Sequence, residues 1–147
     1  MTSITAAGTA LAISAGVPAT QDAAGYAALT YTEIGQIDKI GAIGASYAKV
    51  EFQPLKGPKQ KHKGSVDYGT LQPTVAHDDA DAGQTLLRAS AVSNNLYAFK
   101  VTLPDGSIRY FQGRTFGYPE TIDGADSIVT AAPSVEINTV VVKVPAP

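Results

Sequence analysis

Hydrophobic and polar positions follow their most regular pattern between residues 81 and 113. Asp81 is a favourable N-cap, and Gln84 stands where the second residue of a capping box belongs, so a helix is predicted to begin at Ala82. One large and one small apolar residue per turn form a narrow stripe, made of Leu86 with Ala89 and of Leu87 with Ala91. Such a stripe favours a helix that lies against a sheet rather than one in a helical bundle.

A hairpin is predicted directly after this helix. From Tyr97 to Leu103, large apolar residues alternate with small or polar ones, which is typical of a half-buried strand. Pro104, Asp105 and Gly106 form a turn signal, and residues 107–112 return as the partner strand.

The remaining chain is mostly extended in pattern. Residues 1–20 are rich in Ala, Thr, Ser and Gly, and they favour either an N-terminal arm that pairs as a strand or a frayed terminus. Further strands are predicted at 26–34, 46–55, 66–75, 127–130, 134–137 and 139–144. With about seven strands and one short helix, the sequence predicts a mainly β fold of two packed antiparallel sheets, a sandwich or small barrel.

A basic segment interrupts the strands at residues 56–63. It contains four of the eight lysines of the chain together with His62, and Gly57, Pro58 and Gly64 favour an exposed loop. The candidate contact residues are Lys56, Lys59, Lys61, His62 and Lys63. Three interpretations stay open: docking on an acidic patch of a neighbouring subunit, a solvated loop, or contact with nucleic-acid phosphates.

Acidic residues form two groups that could receive such a loop. Asp78 and Asp79 precede the predicted helix, and Asp123 and Asp126 flank Gly124. His77 beside Asp78, Asp79 and Asp81 could also suggest a metal or acid–base site. Because no spaced partner completes such a site, the preferred interpretation is that these carboxylates cap and flank a helix N-terminus. We therefore expect no metal, no cofactor and no enzymatic activity.

Composition narrows the remaining classes. At 147 residues the chain is long enough for one domain, spanning residues 1–147, and only 16% of it is charged. The net charge of −2 argues against a generally basic nucleic-acid binder. There is no cysteine, so no disulfide is expected. Because no Lys or Arg precedes Lys39, the basic start of a secretory signal is missing, and we expect synthesis in the cytoplasm.

Taken in order, several segments resemble the major tail tube proteins of long-tailed, siphovirus-like bacteriophages. These segments are YTEIGQIDKIG (31–41), KGPKQKHKGSVDYGTL (56–71), DDADAGQTLLRA (78–89), YAFKVTLPDG (97–106), YFQG (110–113) and DSIVTAAPSVEI (126–137). The resemblance spans nearly the whole chain and depends on the succession of segments rather than on one diagnostic motif.

The resemblance implies a tail-tube fold that assembles as hexameric rings, which stack into a hollow conduit for DNA. It implies that residues 55–65 form a stacking loop and that arms at 1–20 and 139–147 cross between rings. The implied partners are copies of the chain itself, a tape-measure protein in the lumen, and terminator and tail-tip proteins. DNA would pass without specific binding, no membrane would be involved, and the location would be the virion tail. A carbohydrate-binding or adhesin-like β-sandwich is the alternative, and it would need a surface platform of aromatic residues.

Overall fold

The computed structural model describes residues 3–147, so residues 1 and 2 of the expected N-terminal arm lie outside the described part. It contains two helices, α1 (Ala23–Ala27) and α2 (Ala82–Val92). The strands are β1 (Ala10–Ser14), β2 (Thr32–Ile34), β3 (Ile37–Lys39), β4 (Ser46–Phe52), β5 (Gln60–Asp67), β6 (Thr70–Leu71), β7 (Thr74–Ala76), β8 (Tyr97–Thr102), β9 (Ile108–Thr115), β10 (Glu120–Thr121), β11 (Thr130–Ala131), β12 (Val135–Ile137) and β13 (Val142–Val144).

The strands form two main sheets and one separate hairpin. The larger sheet has the order β2-β1-β8-β9-β12-β6, with β13 pairing along the remaining part of β9. The smaller sheet has the order β10-β11-β7-β3, and β4 pairs with β5 alone. Every pairing is antiparallel. The predicted mainly β fold with antiparallel sheets is therefore confirmed, as a sandwich and not as a closed barrel.

One core lies between the two sheets and α2. The alternation predicted for β8 places Phe99 and Val101 in this core, and Phe99 stacks on Phe111 of β9 with ring centres 5.3 Å apart. Val75 and Ala131 of the smaller sheet, together with Leu87 of α2, cover the same face. Burying large side chains at about 1.5–3 kcal/mol each makes this region the main source of stability.

The other face of the larger sheet is covered by α1. Asp22 caps this helix by accepting a hydrogen bond from the Gly25 amide at 2.8 Å. Tyr26 is then buried against Tyr110, with the two rings stacked 5.3 Å apart. The sequence predicts an extended segment from residue 26. In the structure, the helix that Asp22 caps continues to Ala27, and β2 begins only at Thr32.

No helix in the described part of the chain has the length and apolar character needed to cross a membrane.

Candidate assembly surfaces

The basic segment lies on a hairpin formed by β4 and β5. Gln60 to Lys63 belong to β5 and pair with Lys49 to Phe52 of β4, whereas Lys56 and Lys59 lie in the connection. This differs from the loop expected for the whole segment. Gly57 and Pro58 turn the chain as anticipated, but the residues after them have a partner strand that local composition does not reveal.

Within the described residues, the hairpin is not hydrogen-bonded to either of the two main sheets. Its two strands pair only with each other, and every strand residue except Gly64 is exposed. The carbonyl of Gly44 approaches Gly69 at its base, so the two chain segments enter and leave side by side. An isolated two-stranded hairpin is at best marginally stable in water, so this one suits a surface that a neighbouring molecule covers.

The two faces of the hairpin differ in chemistry. Residues directly opposite each other share a face, so Val50 and Phe52 lie on one face with His62 and Gln60. Val50 is 52% exposed and Phe52 is 59% exposed. The other face carries Tyr47 opposite Val66, and Lys49, Glu51, Lys61 and Lys63. The first face exposes two large apolar side chains and no lysine, so it is termed the apolar face, and the second carries three lysines and is the basic face.

Only part of the basic charge is neutralised locally. Glu51 contacts Lys49 at 2.9 Å and Lys59 at 3.4 Å, and the ammonium of Lys63 lies 4.9 Å from the centre of the Tyr47 ring. In the described residues, Lys56 and Lys61 have no acidic partner within ion-pair distance. These exposed pairs contribute little stability, so the lysines remain available for a partner.

The acidic residues follow the end of β7 that is farther from the hairpin along the chain path. Thr74 at the start of β7 pairs with Lys39 at the end of β3, after which the chain enters the hairpin, whereas Asp78 and Asp79 follow Ala76 at the other end of β7. The His77 amide donates to the Val129 carbonyl at 2.8 Å, which places the loop containing Asp123 and Asp126 at this same end. Positive charge is therefore concentrated at one end of the subunit, on the hairpin, and negative charge at the other end, on these carboxylates.

The two acidic pairs have different surroundings. Asp79 contacts His77 at 2.9 Å and Arg88 at 3.9 Å, and Asp78 accepts a hydrogen bond from the Ala80 amide at 3.0 Å. Asp123 and Asp126 are exposed and make no ion pair in the described structure. The second pair is the freer one for intermolecular contact.

The helix cap is built from Asp81 and Gln84. The Asp81 carboxylate accepts hydrogen bonds from the amides of Gln84 at 2.9 Å and Gly35 at 3.1 Å. The Gln84 side chain does not return to Asp81 as in a capping box. It accepts from the Asp78 amide and donates to the carbonyls of Gly35 and Ala76. Both residues therefore fasten α2 to the sheets, which gives Asp81 a structural role.

His77 does not stand at the centre of a ligand cluster. Within residues 3–147, no group of three His, Cys, Asp or Glu side chains is close enough to hold a metal ion. The short contact between His77 and Asp79 is an ordinary ion pair or hydrogen bond at the start of α2.

A cavity of about 680 Å³ was not anticipated from the sequence. It opens between residues 6–9, the segment 37–43 that contains β3, and the end of the larger sheet. Val101 and Leu103 form part of its apolar wall. Arg109 and Lys143, which lie directly opposite each other on β9 and β13, both line it. Sequence alone does not reveal this pair, because β13 could have joined any of several strands.

Several tyrosines are shielded rather than exposed. Burial raises the pKa of the Tyr31 hydroxyl above its ordinary value, and the neighbouring Tyr110 and Tyr26 add to this shift. Burial likewise raises the pKa of Tyr110. In the described residues the exposed large aromatic side chains are Tyr47, Phe52 and Phe116. Tyr47 and Phe52 lie on opposite faces of the hairpin, so they do not form a common platform for a sugar ring.

The expected arms contain strands of the subunit's own sheet. Leu11 and Ile13 of β1 are fully buried, and β1 lies between β2 and β8. At the other end, β13 pairs with β9, and Pro147 lies near Gly106. The parts that could reach another molecule are therefore the residues outside these strands.

Three solved structures share this fold over most of their length. One is a chain from the "anti-feeding prophage (AFP) baseplate, 6-fold symmetrised", with a TM-score of 0.72 at 8% identity, covering 99% of this chain and 98% of that chain. Another is from the "PVC sheath/tube terminator in extended state" of an extracellular contractile injection system, with a TM-score of 0.68 at 9% identity and 99% of both chains covered. The third is from the "PVC sheath-tube complex in extended state", with a TM-score of 0.62 at 10% identity, covering 92% of this chain and 86% of that chain.

At such identities the likeness establishes a shared fold. No protein-family model and no curated protein matches the sequence.

Proposed function

We propose that this protein is a structural subunit of a phage-tail-like particle, forming hexameric rings that stack into a tail tube. The observation that carries the proposal is the β4–β5 hairpin, which is exposed on both faces and projects from a fold shared with chains of tube and baseplate assemblies. The six-fold symmetry of one of these assemblies supports a ring of six. The proposed role is therefore structural: the protein acts by packing against other subunits and not by catalysing a reaction.

In this proposal the hairpin is the stacking element. Its apolar face, with Val50 and Phe52, packs on the adjacent ring, and its lysines approach the acidic end of that ring near Asp78 and Asp79. A head-to-tail contact of this kind is heterologous and extends without limit along one axis, as a tube requires. Opposite charges at the two ends also align the subunits before they dock.

The remaining partners follow from the same role. The lumen holds a tape-measure protein during assembly and later passes DNA to the host, while terminator and tail-tip proteins bind the two ends. Each phosphate contact would add salt-dependent affinity and slow the DNA, so the hairpin lysines are proposed to face neighbouring subunits and not the bore. The place of action is the tail of the particle. Both the tails of long-tailed phages and contractile systems are compatible settings.

The test is removal of the whole hairpin. Residues 46–67 can be replaced by two glycines, because Gly44 and Gly69 are already adjacent. Negative-stain microscopy should show tubes or stacked rings for the intact chain, and single rings or monomers for the variant. A melting temperature close to that of the intact chain would show that the sandwich is still folded.

A control variant with Lys56, Lys59, Lys61 and Lys63 all changed to Gln keeps the hairpin and its apolar face. It should stack more weakly than the intact chain but better than the deletion. Full-length tubes from the deletion variant would exclude a stacking role for the hairpin, and an intact chain that forms neither rings nor tubes would refute the proposed function.

A further inference from the structure

Two like charges face each other in the wall of the cavity. Arg109 and Lys143 lie directly opposite each other on neighbouring strands, which is an unfavourable arrangement for like charges. Lys39 lines the same cavity, and Asp38 is the one carboxylate among its described lining residues. Asp105 is near enough to Arg109 for the two charges to interact, but no acidic group lies within ion-pair distance of Arg109 or Lys143 in the described residues.

The cavity is also apolar where it is deepest in the sandwich. Val101 is almost fully buried, and Ile37, Ile40 and Ile43 pack at the edge of the same core. A suitable occupant therefore combines apolar side chains with negative charge.

The loop between β10 and β11 has this combination. Ile122 is 72% exposed and Ile128 is 74% exposed, although both would be stabilised by burial. Asp123 and Asp126 lie between them, and a turn closed by the Ser127 amide and the Gly124 carbonyl at 3.1 Å holds the loop compact. Its two apolar and two acidic side chains match the cavity in both respects.

The loop is too far from the cavity of its own subunit to fill it. β10 and β3 are the two edges of the smaller sheet, three strand spacings or about 14 Å apart. The loop connects β10 to β11 at the Ala76 end of the sheet, whereas the cavity lies along β3 toward the end where Lys39 pairs with Thr74. A contact between them must therefore join two molecules.

We propose that residues 122–128 of one copy of this chain insert into the cavity of the next copy. Ile122 and Ile128 contact its apolar wall, and Asp123 and Asp126 neutralise Arg109 and Lys143. Because the loop and the cavity are different surfaces of the subunit, this contact is heterologous and builds a ring when the rotation per subunit closes. The inference deepens the proposed function, on which it rests, by assigning a contact between copies that is separate from the hairpin.

The absence of cysteine from the sequence permits a direct test. Ala7 lines the cavity and Ala125 lies in the loop, and both are exposed. Under mild oxidation, a chain carrying both Ala7→Cys and Ala125→Cys should form a ladder of disulfide-linked oligomers beyond the dimer, which collapses on reduction. Each single variant should give no ladder, and an equal mixture of the two should give a mixed dimer joined through residues 7 and 125.

Microscopy of the same samples separates the two proposals. Rings without a ladder would overturn this contact and leave the proposed function intact. A ladder without rings would support the contact and contradict ring closure. Neither rings nor a ladder would refute both. Dimers formed by Ala125→Cys alone would indicate a symmetric contact and would also overturn the inference.

A charge exchange provides the second measurement. Lys143→Glu and Asp126→Lys are both exposed changes, so folding should be retained and can be checked by melting. Each alone should raise the concentration needed for assembly about tenfold, as expected for like charges brought together at an interface. The double variant should recover most of this loss. Equal and additive effects without recovery would contradict the pairing.

Discussion

At the scale of single residues, Gln84 joins three parts of the chain through one fully buried side chain. Its amide nitrogen lies 3.0 Å from the Gly35 carbonyl and 2.9 Å from the Ala76 carbonyl, and its oxygen accepts from the Asp78 amide at 3.0 Å. These bonds connect α2 to the end of β2 and to β7. A buried amide with several partners fixes one arrangement of the elements, because each alternative leaves polar groups unpaired.

Replacing Gln84 by Ala should lower the free energy of unfolding by at least about 2 kcal/mol, since each buried polar group left without a partner costs about 1–3 kcal/mol. Urea unfolding monitored by tyrosine fluorescence measures this loss. Gln60→Ala, at an exposed position of β5, is the matched control and should change stability little. Equal stability of the two variants would show that Gln84 is not a structural connector.

Asp105 gives a residue-scale prediction about pH. Hydrogen bonds from the hydroxyl and then the amide of Ser107 lower the pKa of its carboxyl below the ordinary value of 3.8, with a smaller contribution from Arg109. Because the folded pKa is lower than the unfolded one, the stabilisation is present above the unfolded pKa and is lost as pH falls through the folded pKa.

Asp105→Asn should therefore destabilise the protein at pH 6 to 7, and the difference from the original chain should shrink as the solution is acidified below the folded pKa. Unfolding curves at a series of pH values test this, with Asp126→Asn as a control for loss of an exposed carboxylate. A difference that stays constant down to the lowest pH would contradict the role given to the Ser107 hydrogen bonds.

At the scale of elements, α2 lies unusually close to β2. A Cβ atom on Gly83 would meet the Glu33 carbonyl at 2.1 Å and the Ile34 Cα at 2.5 Å. The backbone atoms of β2 cannot move aside without disturbing its pairing with β1, in which Ile34 lies opposite Leu11. Glycine at the first turn of α2 thus sets the distance between the helix and the sheet.

Gly83→Ala should destabilise the protein by about 1–3 kcal/mol or more through overpacking, even though Ala is the better helix former. The matched control is Gly124→Ala, where nothing lies within 4 Å of the added methyl group. Denaturant midpoints of the two variants give the comparison. If Gly83→Ala were neutral, α2 could shift on the sheet more freely than its contacts imply.

The elements that sequence predicts well are those with local causes. The start of α2 at Ala82 follows from Asp81, and the hairpin of β8 and β9 follows from alternation around the turn at Gly106, whose φ of 92° suits glycine. The central place of β1 and the pairing of β13 with β9 depend on distant strands, which local pattern does not specify. The cavity with Arg109 and Lys143 was missed for the same reason.

At the scale of the whole molecule, stability and assembly reside in different regions. The core and the Tyr26 cluster are closed and self-contained, whereas the hairpin and the 122–128 loop expose Phe52, Leu55, Ile122 and Ile128 to solvent. Exposed apolar side chains grouped on projecting segments mark interaction surfaces. Changes on these segments should therefore affect assembly without affecting folding, and changes in the core should do the reverse.

Phe52→Ser separates the two properties for the hairpin. Phe52 is 59% exposed, so the isolated subunit should keep its melting temperature. Burial of a large apolar side chain between rings contributes about 1.5–3 kcal/mol, so stacking should need a concentration at least about tenfold higher. Light scattering across a dilution series measures this threshold.

Val92→Ser, at a residue 89% exposed on α2 and remote in sequence from the hairpin, serves as the control and should leave the threshold unchanged. An unchanged threshold for Phe52→Ser would mean that the apolar face of the hairpin remains in solvent in the assembled tube, and the lysines would then have to carry the stacking contact alone.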